Sequence, residues 1–103
     1  MIEEVLVQRD NILVRRQRIE PGEALPWHTD PHHRVAVVTS GDELVIEFRG
    51  GGEPQRIELA PGMAGWDEPE PEVHRAVNTG SQPFEEITVF FLDRPDAIPQ
   101  PRA

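Results

Sequence analysis

Three of the chain's four histidines, His28, His32 and His33, fall within six residues, and Asp30 stands among them. Imidazole nitrogens and a carboxylate at such spacing are the raw material of a divalent-metal site. The cluster is preceded by a turn signal, Pro21-Gly22, and followed by a β-branched run (Val35, Val37, Val38, Thr39) that ends at Gly41. In an extended segment His28, Asp30, His32 and Arg34 share one face, while His33 points to the other. Pro31 interrupts strict alternation, so His33 also stays among the candidates. The fourth histidine, His74, belongs to a distant strand-like segment, Val73 to Asn78. A fold that lays this segment beside His28 completes a pocket.

The rest of the composition narrows the chemistry. Among 103 residues there is no cysteine, lysine or tyrosine, and all ten basic residues are arginine. Thiolate ligands, disulfides and Schiff-base catalysis are therefore closed to this chain. The formal net charge of −9 argues against nucleic acid, which needs a clustered basic surface. Arg15, Arg16 and Arg18 are close in sequence, but on a strand Arg15 points away from the other two, and the three read as a solvated strand face. No window is long and apolar enough to span a membrane, and the acidic amino terminus (Glu3, Glu4) carries no signal-peptide pattern. The expectation is a cytoplasmic protein with no membrane partner.

The elements that must position these groups are short strands. Ile2 to Val7 and Ile12 to Ile19 are strand candidates separated by Arg9-Asp10-Asn11, a turn cluster. Arg34 to Thr39 leads through Ser40-Gly41-Asp42 into Glu43 to Arg49. There Leu44, Ile46 and Phe48 alternate with Glu43, Val45 and Glu47, which predicts a hairpin with one buried face. Gln55 to Leu59 and Met63 to Trp66 follow further Gly/Pro turns. Asp67 to Glu72 holds four carboxylates and two prolines and is expected to be a solvated rim loop. Glu72 to Asn78 and Phe84 to Leu92 complete the set, and both faces of the last strand are apolar. We expect one all-β domain over residues 1–92 and a proline-rich arm over 93–103. Trp27 and Trp66 stand at strand ends, where a tryptophan either plugs the core or lines the mouth of a pocket.

Strands at this density with Gly/Pro turns indicate a sandwich or barrel. Two segments resemble the paired motifs of the cupin superfamily, whose fold is a small double-stranded β-helix, or jelly-roll barrel. Gly22, then five residues, then His28, with Gly41 closing at the expected distance, is similar to the first motif. Asp30 stands where that motif has its second histidine, and Arg34 where it has its glutamate. Pro61-Gly62, His74 and Asn78 resemble the second motif, with a longer acidic insert before the histidine. The likeness runs from about Pro21 to Leu92 and is closest to small single-domain bacterial cupins. It implies a homodimer, a form common in that family. Unpaired apolar strand faces point the same way.

In metal-binding cupins three histidines and a glutamate hold the ion, so the resemblance carries over only His28 and His74. Asp30 can still offer oxygen, and His32 can substitute for the missing imidazole. Arg34 cannot be a ligand, because a guanidinium stays protonated and has no free lone pair. Two functions follow. In one, His28, His32, His74 and Asp30 hold a divalent transition metal (iron, manganese, nickel or zinc) for oxidoreductase or isomerase chemistry on a small organic acid. In the other, no metal is bound and a small anion is held by Arg34, with His33, Trp27 and Trp66 as further ligand contacts. An Asp30–Arg34 salt bridge would take Asp30 out of the ligand set and leave a histidine-only site.

Overall fold

The computed structural model describes residues 1–92, so the expected carboxy-terminal arm over 93–103 lies outside the described residues. No helix occurs among the described residues. They form β1 (Ile2–Arg9), β2 (Ile12–Ile19), β3 (His28–Asp30), β4 (His33–Ser40), β5 (Glu43–Phe48), β6 (Gln55–Glu58), β7 (Ala64–Asp67), β8 (Glu70–Val77) and β9 (Phe84–Phe91). Two antiparallel sheets result, with orders β1-β2-β9-β4-β7 and β3-β8-β5-β6. The first hairpin turns at Asp10-Asn11, with Arg9 opposite Ile12 and Asp10 at φ 53°, a conformation that Asp tolerates better than most residues.

Two expectations change here. The run from β4 into β5 is not a hairpin, because the two strands belong to different sheets. Gly41 makes that crossing at φ 124°. A side chain there would also meet the Phe84 backbone at 3.2 Å, so glycine is needed for both shape and clearance. The alternating face of β5 is buried as expected, but it pairs with β6 and β8. Second, the acidic stretch is not wholly a loop: Glu70, Pro71 and Glu72 begin β8. Proline is tolerated because the β3–β8 register shifts there, from His28 opposite His74 to Asp30 opposite Glu70. A bulge of this kind spares the donor that proline lacks.

The sheets enclose a barrel whose closed end is apolar. Ile19, Leu25, Val38, Leu44, Ala76 and Phe84 are buried there, with Ile46 and Leu59 packed against them. Asn78 closes the same end through polar contacts. It donates from Nδ2 to the carbonyls of Ile19 and Gln82, each at 2.9 Å, and accepts from the Gly80 amide at 2.9 Å. A buried amide so fully satisfied fixes the loop after β8; the motif asparagine is therefore structural.

Candidate metal centre

At the other end of the barrel the register sets His28 directly opposite His74. Their ring centroids are 4.6 Å apart. The bulge that absorbs Pro71 also turns Asp30 towards both rings. Its Oδ2 lies 2.8 Å from His74 Nε2 and its Oδ1 lies 3.7 Å from His28 Nε2. One ligand atom from each of His28, Asp30 and His74 can be chosen so that all three lie within 4.8 Å of one another. These residues are buried or half-buried.

The far side of each ring fixes its tautomer. His28 Nδ1 lies 2.7 Å from the Pro26 carbonyl, and His74 Nδ1 lies 2.7 Å from the Glu72 carbonyl. A carbonyl can only accept, so Nδ1 carries a proton in both rings, and with that proton alone each Nε2 has its lone pair available to the centre. Backbone-oriented imidazoles of this kind are the usual support of metal-binding histidines. The short contact between His74 Nε2 and the Asp30 carboxylate then sets two acceptors face to face. Only a proton or a metal ion between them makes that contact favourable. The three residues fit a divalent transition metal, and two histidines with one carboxylate leave coordination positions open.

Arg34 borders this group. Its Nη2 lies 3.3 Å from Asp30 Oδ2, so the expected salt bridge forms. Asp30 nevertheless keeps its contact with His74 and stays with the histidines. Arg34 Nη1 donates to the carbonyls of His32 at 3.2 Å and Glu68 at 3.3 Å, and its Nε lies 4.0 Å from Asp67. Two neutral carbonyls hold the guanidinium in place, while Asp30 and, more distantly, Asp67 offset its charge. Its side chain is only 16% exposed.

The other expected site residues lie elsewhere. His32 is not part of the metal-ligating group found among the described residues; its Nδ1 is buried without a hydrogen-bond partner. It precedes β4, in a bend where the face-sharing of an extended strand does not hold. His33 is buried on the outer side of the larger sheet, 3.2 Å from Glu68 and with its ring 5.2 Å from that of Trp66. Trp66 is 44% exposed and stacks on Phe91, ring centroids 5.6 Å apart. Trp27 lies under the guanidinium of Arg75, 4.3 Å away. His33, Trp27 and Trp66 thus do not line the interior cavity. Strand alternation sends His33 outward because Arg34 points inward.

That cavity has a volume of about 840 Å³ and includes His28, Asp30, Arg34 and His74 in its wall. It also includes Gln17 and Glu86, which no motif marks, and Arg15. Arg15 is therefore not part of a solvated face. Glu86 was detectable in principle: in β9 it alternates with Phe84, Thr88 and Phe90, while Ile87, Val89 and Phe91 occupy the opposite side. Desolvation raises the Glu86 carboxyl above its ordinary value, against the opposing charge of Arg15 and a hydrogen bond from Thr88.

A two-sheet barrel with a ligand-sized interior and histidines at its open end is the architecture of a double-stranded β-helix. The chain belongs to the cupin domain family, whose model matches residues 15–90. Solved structures agree on the fold. A cupin domain from Bordetella pertussis Tohama I is 22% identical, with TM-score 0.75 and coverage of 86% of this chain and 90% of that one. A protein with a double-stranded β-helix domain from Klebsiella pneumoniae is 26% identical, with TM-score 0.66, covering 88% and 76%. One from Thermotoga maritima, described as a predicted oxalate decarboxylase, is 21% identical, with TM-score 0.63, covering 87% and 78%. No curated protein gives a significant match.

Proposed function

We propose that this cupin binds one divalent transition metal through His28, Asp30 and His74, and acts there on a small organic acid held by Arg34. The observation that carries the reading is the convergence of both Nε2 atoms, each freed by a backbone hydrogen bond, on one carboxylate. A metal at this position supplies Lewis-acid polarisation of a bound oxygen or, if redox-active, electron transfer. The chain's own residues supply the rest. His28 and His74 are held in one tautomer, Asp30 offers oxygen to the ion, and Arg34 presents a fixed cation beside it.

Local charge favours an acid as the ligand. A dication, Arg34 and Asp30 sum to a net charge of +2, and Asp67 at 4.0 Å only partly lowers it. An anion is needed to complete the site. Without the metal, Arg34 and Asp30 cancel and leave no net local charge, while Glu3, Asp67, Glu68, Glu70 and Glu86 in the cavity wall add carboxyl groups against Arg15 alone. That excess makes the metal-free anion binder the weaker of the two readings, and it predicts that acids bind only to the metal-loaded protein. We further propose that the protein works as a cytoplasmic homodimer.

The test is metal content in untagged protein prepared without chelator or nickel resin, followed by reloading with iron, manganese, nickel and zinc in turn. The expected result is about one ion per chain, lost in His74→Ala while the barrel stays folded. Background metal after every reloading, or full occupancy in His74→Ala, would overturn the assignment.

A further inference from the structure

The proposed function leaves one wall of the cavity unused. Register sets Arg15 opposite Thr88, which is opposite Ala36, and Gln17 opposite Glu86, which is opposite Val38. All these side chains therefore face the barrel interior, where Thr88 is 1% and Gln17 3% exposed. β9 thus sends Ile87, Val89 and Phe91 outward and Glu86 and Thr88 inward. Stability alone favours the opposite arrangement, since apolar side chains gain most inside and polar ones cost most there. A polar inner wall in a barrel that needs a core is the kind of local conflict found at binding sites.

The contacts on this wall are incomplete. Gln17 Nε2 donates to Glu3 Oε2 at 2.7 Å, and Arg15 Nη1 reaches the same oxygen at 3.3 Å. Thr88 Oγ1 donates to Glu86 Oε1 at 3.3 Å. Arg15 lies over the Phe90 ring, 4.8 Å from its centroid, and its Nε is buried without a partner. Burial raises the Glu86 carboxyl, and the carboxylate that Arg15 contacts is that of Glu3, whose side chain is 47% exposed. A guanidinium held this way inside a cavity has donors and charge to spare.

We propose that Arg15 is a second carboxylate anchor, so that the ligand of this cavity is a small dicarboxylic acid with one carboxylate at Arg34 and the other at Arg15. This rests on the reading of Arg34 as an acid clamp beside the metal. Arg15 and Arg34 lie two strands and two residues apart across the inner face, a Cα separation of about 12 Å from standard sheet spacings. Both side chains reach inward from that base, which suits a diacid with a short aliphatic spacer. Phe90, in register with Arg34 and stacked under Arg15, provides the apolar floor for such a spacer. Glu3 occupies the place of the second carboxylate until the ligand displaces it.

Calorimetric titration of metal-loaded protein with matched acids tests this: glutarate against valerate, and adipate against hexanoate. The diacid of each pair should bind about tenfold or more tightly than its monoacid, the range for a hydrogen-bonded charge pair. Arg15→Gln should abolish that preference and leave monoacid affinity unchanged. Glu3→Gln, which frees Arg15, should strengthen diacid binding, a gain that misfolding cannot mimic. Equal affinity for diacid and monoacid in the wild type overturns the second anchor and leaves the Arg34 reading in place. No binding of any of these acids overturns both.

Discussion

Replacing Arg34 with glutamate probes the feature that most separates this site from the metal-binding cupin pattern. Arg34 Nη2 is 3.3 Å from Asp30 Oδ2, and a metal–oxygen bond adds about 2.1 Å. The guanidinium and a bound ion would therefore be about 5 Å apart. A unit charge repels a dication at that distance by roughly 1.7 kcal/mol with water-like screening and by roughly 6.6 kcal/mol at an effective dielectric of about 20. Arg34 is mostly buried, so the lower figure is a floor. Removing the arginine also releases Asp30 from its ion pair. Even with nothing credited to the new carboxylate, Arg34→Glu should tighten metal binding roughly tenfold or more. Competition titration against a chelator of known affinity measures this for both proteins under the same buffer and metal. Equal or weaker binding by Arg34→Glu refutes the placement of the ion beside Asp30. The same substitution should remove acid binding, because the clamp is gone.

The outer face of the larger sheet should be an interface between two copies of the chain. Val14, Val35 and Val89 lie in one register row across it, ending at Trp66; light scattering at micromolar concentration should give a dimer, and Val89→Glu a monomer. A wild-type mass near the 11.7 kDa chain would sink this. Asp42 is held below its ordinary value chiefly by hydrogen bonds from the Ser81 hydroxyl and amide. That contribution is present at neutral pH and is lost as pH falls through the depressed folded value. Asp42→Asn should therefore be less stable than wild type at neutral pH and equal to it in acid; a deficit independent of pH would refute the assignment. Glu86 has the opposite sign, because its folded value is raised by burial above 4.5 and the native state holds the proton more tightly. Stability is lost as pH rises above 4.5 and through that raised value, so the advantage of Glu86→Gln in urea midpoint should grow as pH rises across that interval. A constant or shrinking advantage would place Glu86 in water.

The strand content and the position of the motif histidines could be read from the chain because both are local signals. Alternation in Glu43 to Phe48, the Pro-Gly turns and the spacing from Gly22 to His28 each act over a few residues. Which strands share a sheet is not local. The turn at Gly41 looks like a hairpin in sequence, and only the packing of β5 against β6 and β8 turns it into a crossing between sheets. His32 lies outside the ligating group for a related reason. The shared-face argument assumes that backbone from His28 to Arg34 is one strand, whereas β3 ends at Asp30 and β4 begins at His33. Pro31 and His32 belong to neither strand, so His28 and Asp30 from β3 meet Arg34 from β4 while His32 does not join them.

The two departures from the cupin motif, Asp30 and Arg34, are better understood together than singly. In the family pattern the four motif positions are three neutral imidazoles and one carboxylate, with a formal charge of −1. Here two imidazoles, one carboxylate and one guanidinium sum to zero, and the new charges are in contact at 3.3 Å. Either change alone would be costly: a lone Arg34 would face a dication without a counter-charge, and Asp30 with a glutamate at 34 would crowd two carboxylates in a site with less imidazole. Together they hold the site one unit more positive than the family pattern. A dication then leaves a charge of +2 instead of +1, which weakens the hold on the metal and strengthens the demand for an anion beside it. On the proposed reading, the pair of departures would exchange metal affinity for acid binding. The exchange should appear as coupling, with each ligand tightening the other by the same factor. If a bound acid leaves the metal affinity of the wild type unchanged, the paired substitution has no electrostatic purpose of this kind.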